Sequence, residues 1–264
     1  MLTTQIENRC QNWCPYPVLV ASAISTSNLR VSYGDVVALR DLTMEVPHAS
    51  SLAVIGPNGS GKSTLLGVLA GTIDVSSGSA TVAGRSPALV QQSTDVDRSL
   101  PITVRDTVSL ARYQTLGLFR RFGLVDREAI EDAMKRLAVD DLAGRQLHEL
   151  SGGQRQRVLV AQGVAQDTGV LLLDEPVTGL DVTSRAIILE VIDQEVEEGR
   201  TVLVTTHNLE EARCCDQVLL LDNSAIAVGK PDYVLTEENL RCAFGGRFIR
   251  VGDQFILDDP HHSH

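Results

Sequence analysis

The stretch Ser51-Leu52-Ala53-Val54-Ile55-Gly56-Pro57-Asn58-Gly59-Ser60-Gly61-Lys62-Ser63-Thr64 decides the fold. Ser51 to Ile55 is a short apolar run, which reads as a buried strand delivering the chain into a glycine-rich loop. Gly56, Gly61, Lys62 and Ser63 satisfy the pattern G-x-x-x-x-G-K-[ST]. The glycines allow the backbone to curl so that successive N–H groups point at phosphate oxygens. Lys62 supplies a point charge for β- and γ-phosphates, and the Ser63 hydroxyl suits Mg²⁺. Ser63 to Ala70 reads as a helix that Gly71 ends in a left-handed conformation. That helix adds the positive end of its dipole to the phosphate site. With a strand before it and a helix after it, Gly56–Thr64 reads as an ATP-binding loop rather than a chance glycine turn. It does not say what the nucleotide drives.

Upstream of the loop, Leu29 to Val46 reads as two strands around a turn at Gly34-Asp35. Residues 79–83 read as another strand. From about residue 100 to 155 the pattern turns helical. Thr103 caps one predicted helix with Asp106 as its third residue, and Asp126 is the expected cap of a second, in which Ala129, Ile130, Ala133, Met134 and Leu137 recur at helical spacing. Strand signals then resume at Val170–Leu173 and Thr201–Thr205, with a helix over 183–197 closed by Gly199. Asn208 caps a short helix, and a final strand pair flanks Asp222-Asn223. Strands alternating with helices predict a largely parallel sheet covered on both faces. Residues 1–25, with Pro15 and Pro17, read as an N-terminal extension, and 247–264 as a C-terminal tail.

The 264 residues fit one large α/β domain or one domain with an embedded subdomain. The net charge of -11 argues against a basic nucleic-acid-binding face. No apolar run approaches the ~20 residues needed to span a bilayer. Val18–Ala21 lacks the basic leader of a signal peptide, so a cytosolic chain reaching membranes through a partner is expected. Cys10, Cys14, Cys214, Cys215 and Cys242 match no zinc spacing and read as reduced thiols. His261, His262 and His264 read as a polar tail rather than a metal site.

Two further motifs carry chemistry. Val170-Leu171-Leu172-Leu173-Asp174-Glu175 sets two carboxylates at the end of a buried strand, where open parallel sheets bind ligands. Asp174 suits Mg²⁺, and Glu175 suits a general base polarising the attacking water. Just upstream, Ser151 and Gln154 in Leu150-Ser151-Gly152-Gly153-Gln154 have the spacing of a capping box, and Gly152 and Gly153 leave backbone N–H groups unobstructed for an anion.

This last string resembles the signature of ATP-binding-cassette ATPases, and other motifs of that family occur in order over about residues 27–230. The resemblance implies a P-loop NTPase (RecA-like) α/β core over 26–246, with an antiparallel β subdomain and an inserted helical subdomain. Tyr33 is similar to the aromatic that stacks on adenine. Gln92, or its neighbour Gln91, resembles the loop glutamine that senses Mg²⁺. Thr178-Gly179-Leu180-Asp181 is similar to the loop that crosses between subunits, and His207 to the histidine that contacts the γ-phosphate. ATP held by Gly56–Thr64 of one copy would be covered by Ser151–Gln154 of another, so a homodimer is expected.

The resemblance further implies a peripheral subunit at the cytoplasmic face of the membrane, gripping permease subunits and served indirectly by an extracytoplasmic binding protein. Leu100-Pro101-Ile102-Thr103-Val104, the Tyr113–Asp126 segment with Arg120 and Arg121, and Leu235–Leu240 followed by Phe244-Gly245-Gly246 resemble the branch importing zinc or manganese. Within the superfamily the rivals are an ATPase not coupled to transport, as in iron–sulfur assembly, and an ABC subunit for another solute. A non-hydrolysing nucleotide-binding regulator is the rival outside it, and the presence of Glu175 and His207 argues against it.

Overall fold

A computed structural model describes residues 22–92, 101–116, 122–245, 248–251 and 254–257. At its centre is a six-stranded sheet in the order β5-β6-β7-β3-β8-β9. Its strands are β3 (Ser51–Ile55), β5 (Ala88–Val90), β6 (Val170–Asp174), β7 (Thr201–Thr205), β8 (Gln217–Asp222) and β9 (Ser224–Gly229). The first five in spatial order are parallel, and β9 closes one edge as the antiparallel arm of a hairpin. A second, antiparallel sheet of order β2-β1-β4 joins β1 (Ser22–Tyr33), β2 (Val36–Pro47) and β4 (Ser77–Val82).

The apolar runs of the central strands are continuous because both faces of the sheet are buried. Side chains alternate faces along a strand, and the core divides accordingly. Ala53, Ile55, Leu171, Leu173, Val202, Val204, Val218 and Leu220 enter a cluster with the helices that follow. Leu52, Val54, Val170, Leu172, Leu203, Leu219 and Leu221 enter a second cluster under the antiparallel sheet and α1 (Lys62–Leu69). A fully buried leucine such as Leu172 contributes roughly 2–3 kcal/mol on each side of this divide.

The helical segment is built from α2 (Val104–Leu116) and α3 (Leu124–Arg136), which pack on α4 (Gly152–Ala165). Thr103 and Asp106 form the expected cap, with Asp106 N–H donating to Thr103 Oγ1 at 3.1 Å and Thr103 N–H to Asp106 Oδ2 at 3.2 Å. α5 (Val182–Glu197), α6 (Leu209–Arg213), α7 (Pro231–Val234) and α8 (Glu237–Phe244) complete the α-helices among the described residues. An ion cluster ties the helical segment to the core. Glu195 of α5 is fully buried and receives Arg136 of α3 at 2.8 Å and Arg200 at 2.5 Å.

Four expectations need correction. β1 begins at Ser22, inside the segment read as an extension, because Ala23 and Ile24 are fully buried against the antiparallel sheet's core. Asp126 is the third residue of α3 rather than its cap. Gly123 holds the cap position, and Asp126 Oδ2 accepts the Gly123 N–H at 2.8 Å while Oδ1 pairs with Arg112. The helical segment does not end near 155, since α4 runs on to Ala165 and packs against β5. Part of the expected tail forms strands β10 (Phe248–Val251) and β11 (Gln254–Leu257), which pair antiparallel. Residues 1–21 with Cys10 and Cys14, Leu100, Arg120, Arg121, Gly246 and the terminal histidines lie outside the described residues.

Candidate functional site

Parallel pairing assembles the site. β7 lies between β6 and β3, and Asp174, Thr205 and Val54 fall on one register line across the three strands. Thr206 N–H donates to Val54 O at 3.1 Å. The loop after β3, the carboxylates at the end of β6 and the chain leading to His207 after β7 therefore emerge together at the carboxyl end of the sheet.

The loop between β3 and α1 is shaped by close approaches. Gly61 takes φ +99, and a β-carbon there would lie 2.6 Å from both Ala38 O and the Leu39 side chain. At Gly56 a β-carbon would lie 2.0 Å from Leu221 O. Only glycine fits either position. Gly61 offers no side-chain cap, so the first-turn N–H groups of α1 are left for a ligand. The buried Lys62 folds back, its Nζ donating to Gly56 O at 2.8 Å and Pro57 O at 3.1 Å. Between these elements lie Pro57, Asn58, Gly59 and Ser60, and Gly59 is left-handed at φ +82. Tyr33 and Val36 stand exposed at the tip of the β1–β2 hairpin, whose second strand touches the loop through Ala38 and Leu39. An exposed aromatic ring there suits a planar base.

Glu175 has φ +46, a left-handed conformation that costs a non-glycine residue roughly 1–2 kcal/mol. Thr205 holds it there. The fully buried Thr205 hydroxyl accepts the Glu175 N–H at 2.9 Å and donates to Asp174 Oδ1 at 2.6 Å. One hydroxyl thus fixes the mutual orientation of both carboxylates. Glu175 Oε2 accepts from Gln92 Nε2 at 3.3 Å and lies 3.9 Å from His207 Nδ1. The contact to Glu175 comes from Gln92, the second of the two adjacent glutamines. His207 is carried by a segment in which Thr206 Oγ1 donates to Glu211, and Glu211 also pairs with Arg185 of α5 at 3.1 Å.

Ser151 and Gln154 make the expected capping box. Gln154 N–H donates to Ser151 Oγ at 3.2 Å, and Ser151 N–H to Gln154 Oε1 at 3.1 Å. Gly152 opens α4 with nothing near its missing β-carbon. Gly153 does not share that freedom, since a β-carbon there would meet Ser184 Oγ at 2.5 Å and Asp181 Oδ2 at 2.6 Å. The start of α4 thus rests directly on the start of α5. Asp181 caps α5 by accepting the Ser184 N–H at 2.9 Å, and that bond holds its carboxyl below the ordinary carboxylate value.

The donor set fits Mg²⁺. The Ser63 hydroxyl, the Asp174 carboxylate and the Gln92 amide are hard oxygen donors, and Mg²⁺ is held by one or two such carboxylates together with substrate phosphates. The exposed Ser63 at the start of α1 and the half-buried Asp174 are open enough to receive it. Two positions the sequence did not single out are Thr205, read only as a strand end, and Asn223, read only as a turn. A threonine closing an otherwise apolar buried strand was the available signal for the first.

Residues 39–178, more than half of the chain, match the ABC transporter family. The manganese transport system ATP-binding protein MntB of Bacillus subtilis (strain 168) is 33% identical over 243 residues, covering 89% of this chain and 97% of that one. The zinc transport system ATP-binding protein TroB of Treponema pallidum (strain Nichols) is 35% identical, covering 86% and 88%. Among solved structures, a chain of an ABC transporter in an inward-facing conformation superposes with a TM-score of 0.77 at 30% identity, covering 89% of this chain and 94% of that chain.

Proposed function

The chain belongs to the ABC transporter family as its ATP-binding, ATP-hydrolysing subunit, and from that premise we propose which residues do the work and what the work moves. Gly56–Thr64 binds the phosphates through backbone N–H groups, and Tyr33 stacks on the adenine. Lys62 leaves the carbonyls of Gly56 and Pro57 for the β- and γ-phosphates, so a neutral acceptor is exchanged for a charged one. Ser63, Asp174 and Gln92 would hold Mg²⁺, whose charge would neutralise phosphate oxygens there. Glu175 orients and polarises the attacking water, and His207 contacts the γ-phosphate.

The observation that carries this reading is the shared register of Val54, Thr205 and Asp174, which supports one site holding loop, base and histidine. Ser151–Gln154 and Asp181 of a second copy complete each site, so ATP closes a homodimer and hydrolysis reopens it. The dimer works at the cytoplasmic face of the membrane on permease subunits, with an extracytoplasmic binding protein delivering the cargo. The names of the relatives support zinc or manganese as that cargo. The metal is handled by those partners and not by this ATP site.

Two variants test the site. Glu175→Gln is expected to keep ATP binding and ATP-dependent dimerisation while turnover falls at least about a hundredfold. Lys62→Ala is expected to lose both binding and dimerisation. ATP-dependent dimers surviving Lys62→Ala, or normal turnover by Glu175→Gln, refute the assignment. Zinc and manganese uptake unchanged in cells lacking the chain, with another solute lost, refutes the cargo.

A further inference from the structure

We propose that Asn223 is a positioning residue for nucleotide binding, bracing the phosphate loop from behind and locking it to the strand pair that carries Tyr33. The inference rests on the ATP reading above.

Asn223 stands in the turn between β8 and β9 with φ +54, a left-handed conformation that asparagine tolerates better than most residues. Its main chain and side chain reach two separate elements. Asn223 N–H donates to Ser60 O at 2.9 Å, and Asn223 O accepts the Arg40 N–H at 2.6 Å. The side-chain Nδ2 donates to Ala38 O at 3.0 Å and to Gly59 O at 3.4 Å. Four hydrogen bonds thus join one turn to the loop and to β2. Just before the turn, Leu221 O blocks any β-carbon at Gly56, so the same hairpin also walls the loop's first residue.

The direction of these bonds matters. Gly59 and Ser60 are successive loop residues, and their carbonyls are both drawn to Asn223. A peptide unit whose C=O is held on one side presents its N–H on the other. Fixing these two carbonyls therefore favours the orientation in which the following N–H groups face away from the brace, the Ser60 N–H onto Pro57 O at 3.1 Å within the loop itself and the Gly61 N–H on the side opposite Asn223. An unbraced loop would rotate some peptide planes and offer carbonyl oxygen to phosphate. The bonds to Ala38 and Arg40 set where β2 lies relative to the loop, and the β1–β2 hairpin carries Tyr33 at its tip. Asn223 thus registers the site's base-binding end to its phosphate-binding end without touching the nucleotide.

The role is visible in binding more than in chemistry, because Asn223 pairs with the phosphate loop and β2, whereas Glu175 is held by Thr205. The test is steady-state ATP hydrolysis and ATP titration on the full chain and its variants. Asn223→Gly removes the amide and keeps a residue at ease in the left-handed region. Its expected result is a rise in KM and in the ATP dissociation constant of about tenfold, the equivalent of losing one or two neutral hydrogen bonds. The kcat is expected to stay within about twofold, because the groups around Glu175 are unaltered. Asn223→Asp keeps the shape and presents acceptor oxygens to the Ala38 and Gly59 carbonyls, so its KM is expected to rise at least as far.

A brace that only stabilised the fold would lower the melting temperature and the active fraction and leave KM alone. A wild-type KM in the glycine variant overturns the proposal, as does a fall in kcat with KM unchanged. Should the glycine variant fail to fold, the aspartate variant decides by the same criterion. If wild-type protein neither binds nor hydrolyses ATP, it is the ATP reading that fails. If the wild type is active and the variants match it, the brace alone fails.

Discussion

Replacing Thr205 by valine removes one oxygen atom and keeps the shape of a fully buried side chain. Two bonds are lost. The hydroxyl donates to the Asp174 carboxylate at 2.6 Å, and hydrogen bonds to charged groups contribute about 1.5–3 kcal/mol. The Glu175 N–H loses its acceptor, and because Glu175 is only half-buried the cost falls near the low end of about 1–3 kcal/mol. The sum is a destabilisation of about 3 kcal/mol. Thr205→Ser keeps the hydroxyl and gives up a methyl group, which costs about 1 kcal/mol. Urea unfolding with unchanged slopes should therefore rank wild type, serine and valine in that order. Turnover should separate the two variants further. Glu175 sits in a left-handed conformation, and Thr205 is what holds its N–H. Without that bond the residue is free to leave the conformation held in the wild type, and kcat in the valine variant should fall about tenfold or more. The serine variant should keep most of its turnover. A valine variant as stable and as active as the serine variant would refute the claim that one hydroxyl sets both carboxylates.

Gly153→Ala places a β-carbon within 2.6 Å of Ser184 Oγ and Asp181 Oδ2, so an overpacking cost of about 1–3 kcal/mol is expected in denaturant unfolding; a neutral result means that α4 and α5 separate freely. Glu195→Ala leaves Arg136 and Arg200 facing a buried gap, although each keeps a second acidic partner in Glu198 and Asp167. The expected loss is about 3 kcal/mol, the low end for breaking a buried pair, and a loss below about 1 kcal/mol by the same measurement would dismiss the cluster as a tie. Asp181 has a folded-state pKa below its ordinary value of 3.8 because it accepts the Ser184 N–H. Its stabilisation is therefore present above that value and is lost as pH falls through the folded-state pKa. Asp181→Asn keeps an oxygen acceptor and does not titrate, so wild type should lose stability relative to it only on the acid side of 3.8; parallel acid-unfolding curves would rule the cap out as the cause.

Strands β3, β6, β7 and β8 of the central sheet were legible because they are short apolar runs buried on both faces, and because Gly56 and Gly61 mark where β3 ends. The caps at Thr103, Ser151 and Asn208 were legible because their partners lie two or three residues on. Asp126 misled for the same local reason. As the third residue of α3 it caps backwards onto Gly123, and its second partner, Arg112, comes from another helix. Asn223 and Thr205 were opaque as site residues because their partners are 164 and 31 positions away at the farthest of the bonds argued for the loop and for Asp174. Spacing carries no trace of such pairs until the strand order is known. The short β5, three residues long, offers too little sequence to show a period. Ala23 and Ile24 look unremarkable beside Pro15 and Pro17, and only the antiparallel sheet shows what they are for.

The position of β7 between β3 and β6 has a consequence for how such a site endures sequence change. The ends of the two strands that carry the phosphate loop and the carboxylates must keep a fixed separation, and here it is two strand spacings, about 10 Å. Neither side chains nor loops set it. It is a multiple of the backbone hydrogen-bond repeat, the one length in a protein that substitution leaves almost untouched. Residues around the site can therefore drift in size and polarity while the gauge between its two halves stays constant. What substitution can alter is the alignment at either end of that gauge, and there a single hydroxyl and a single amide keep the setting.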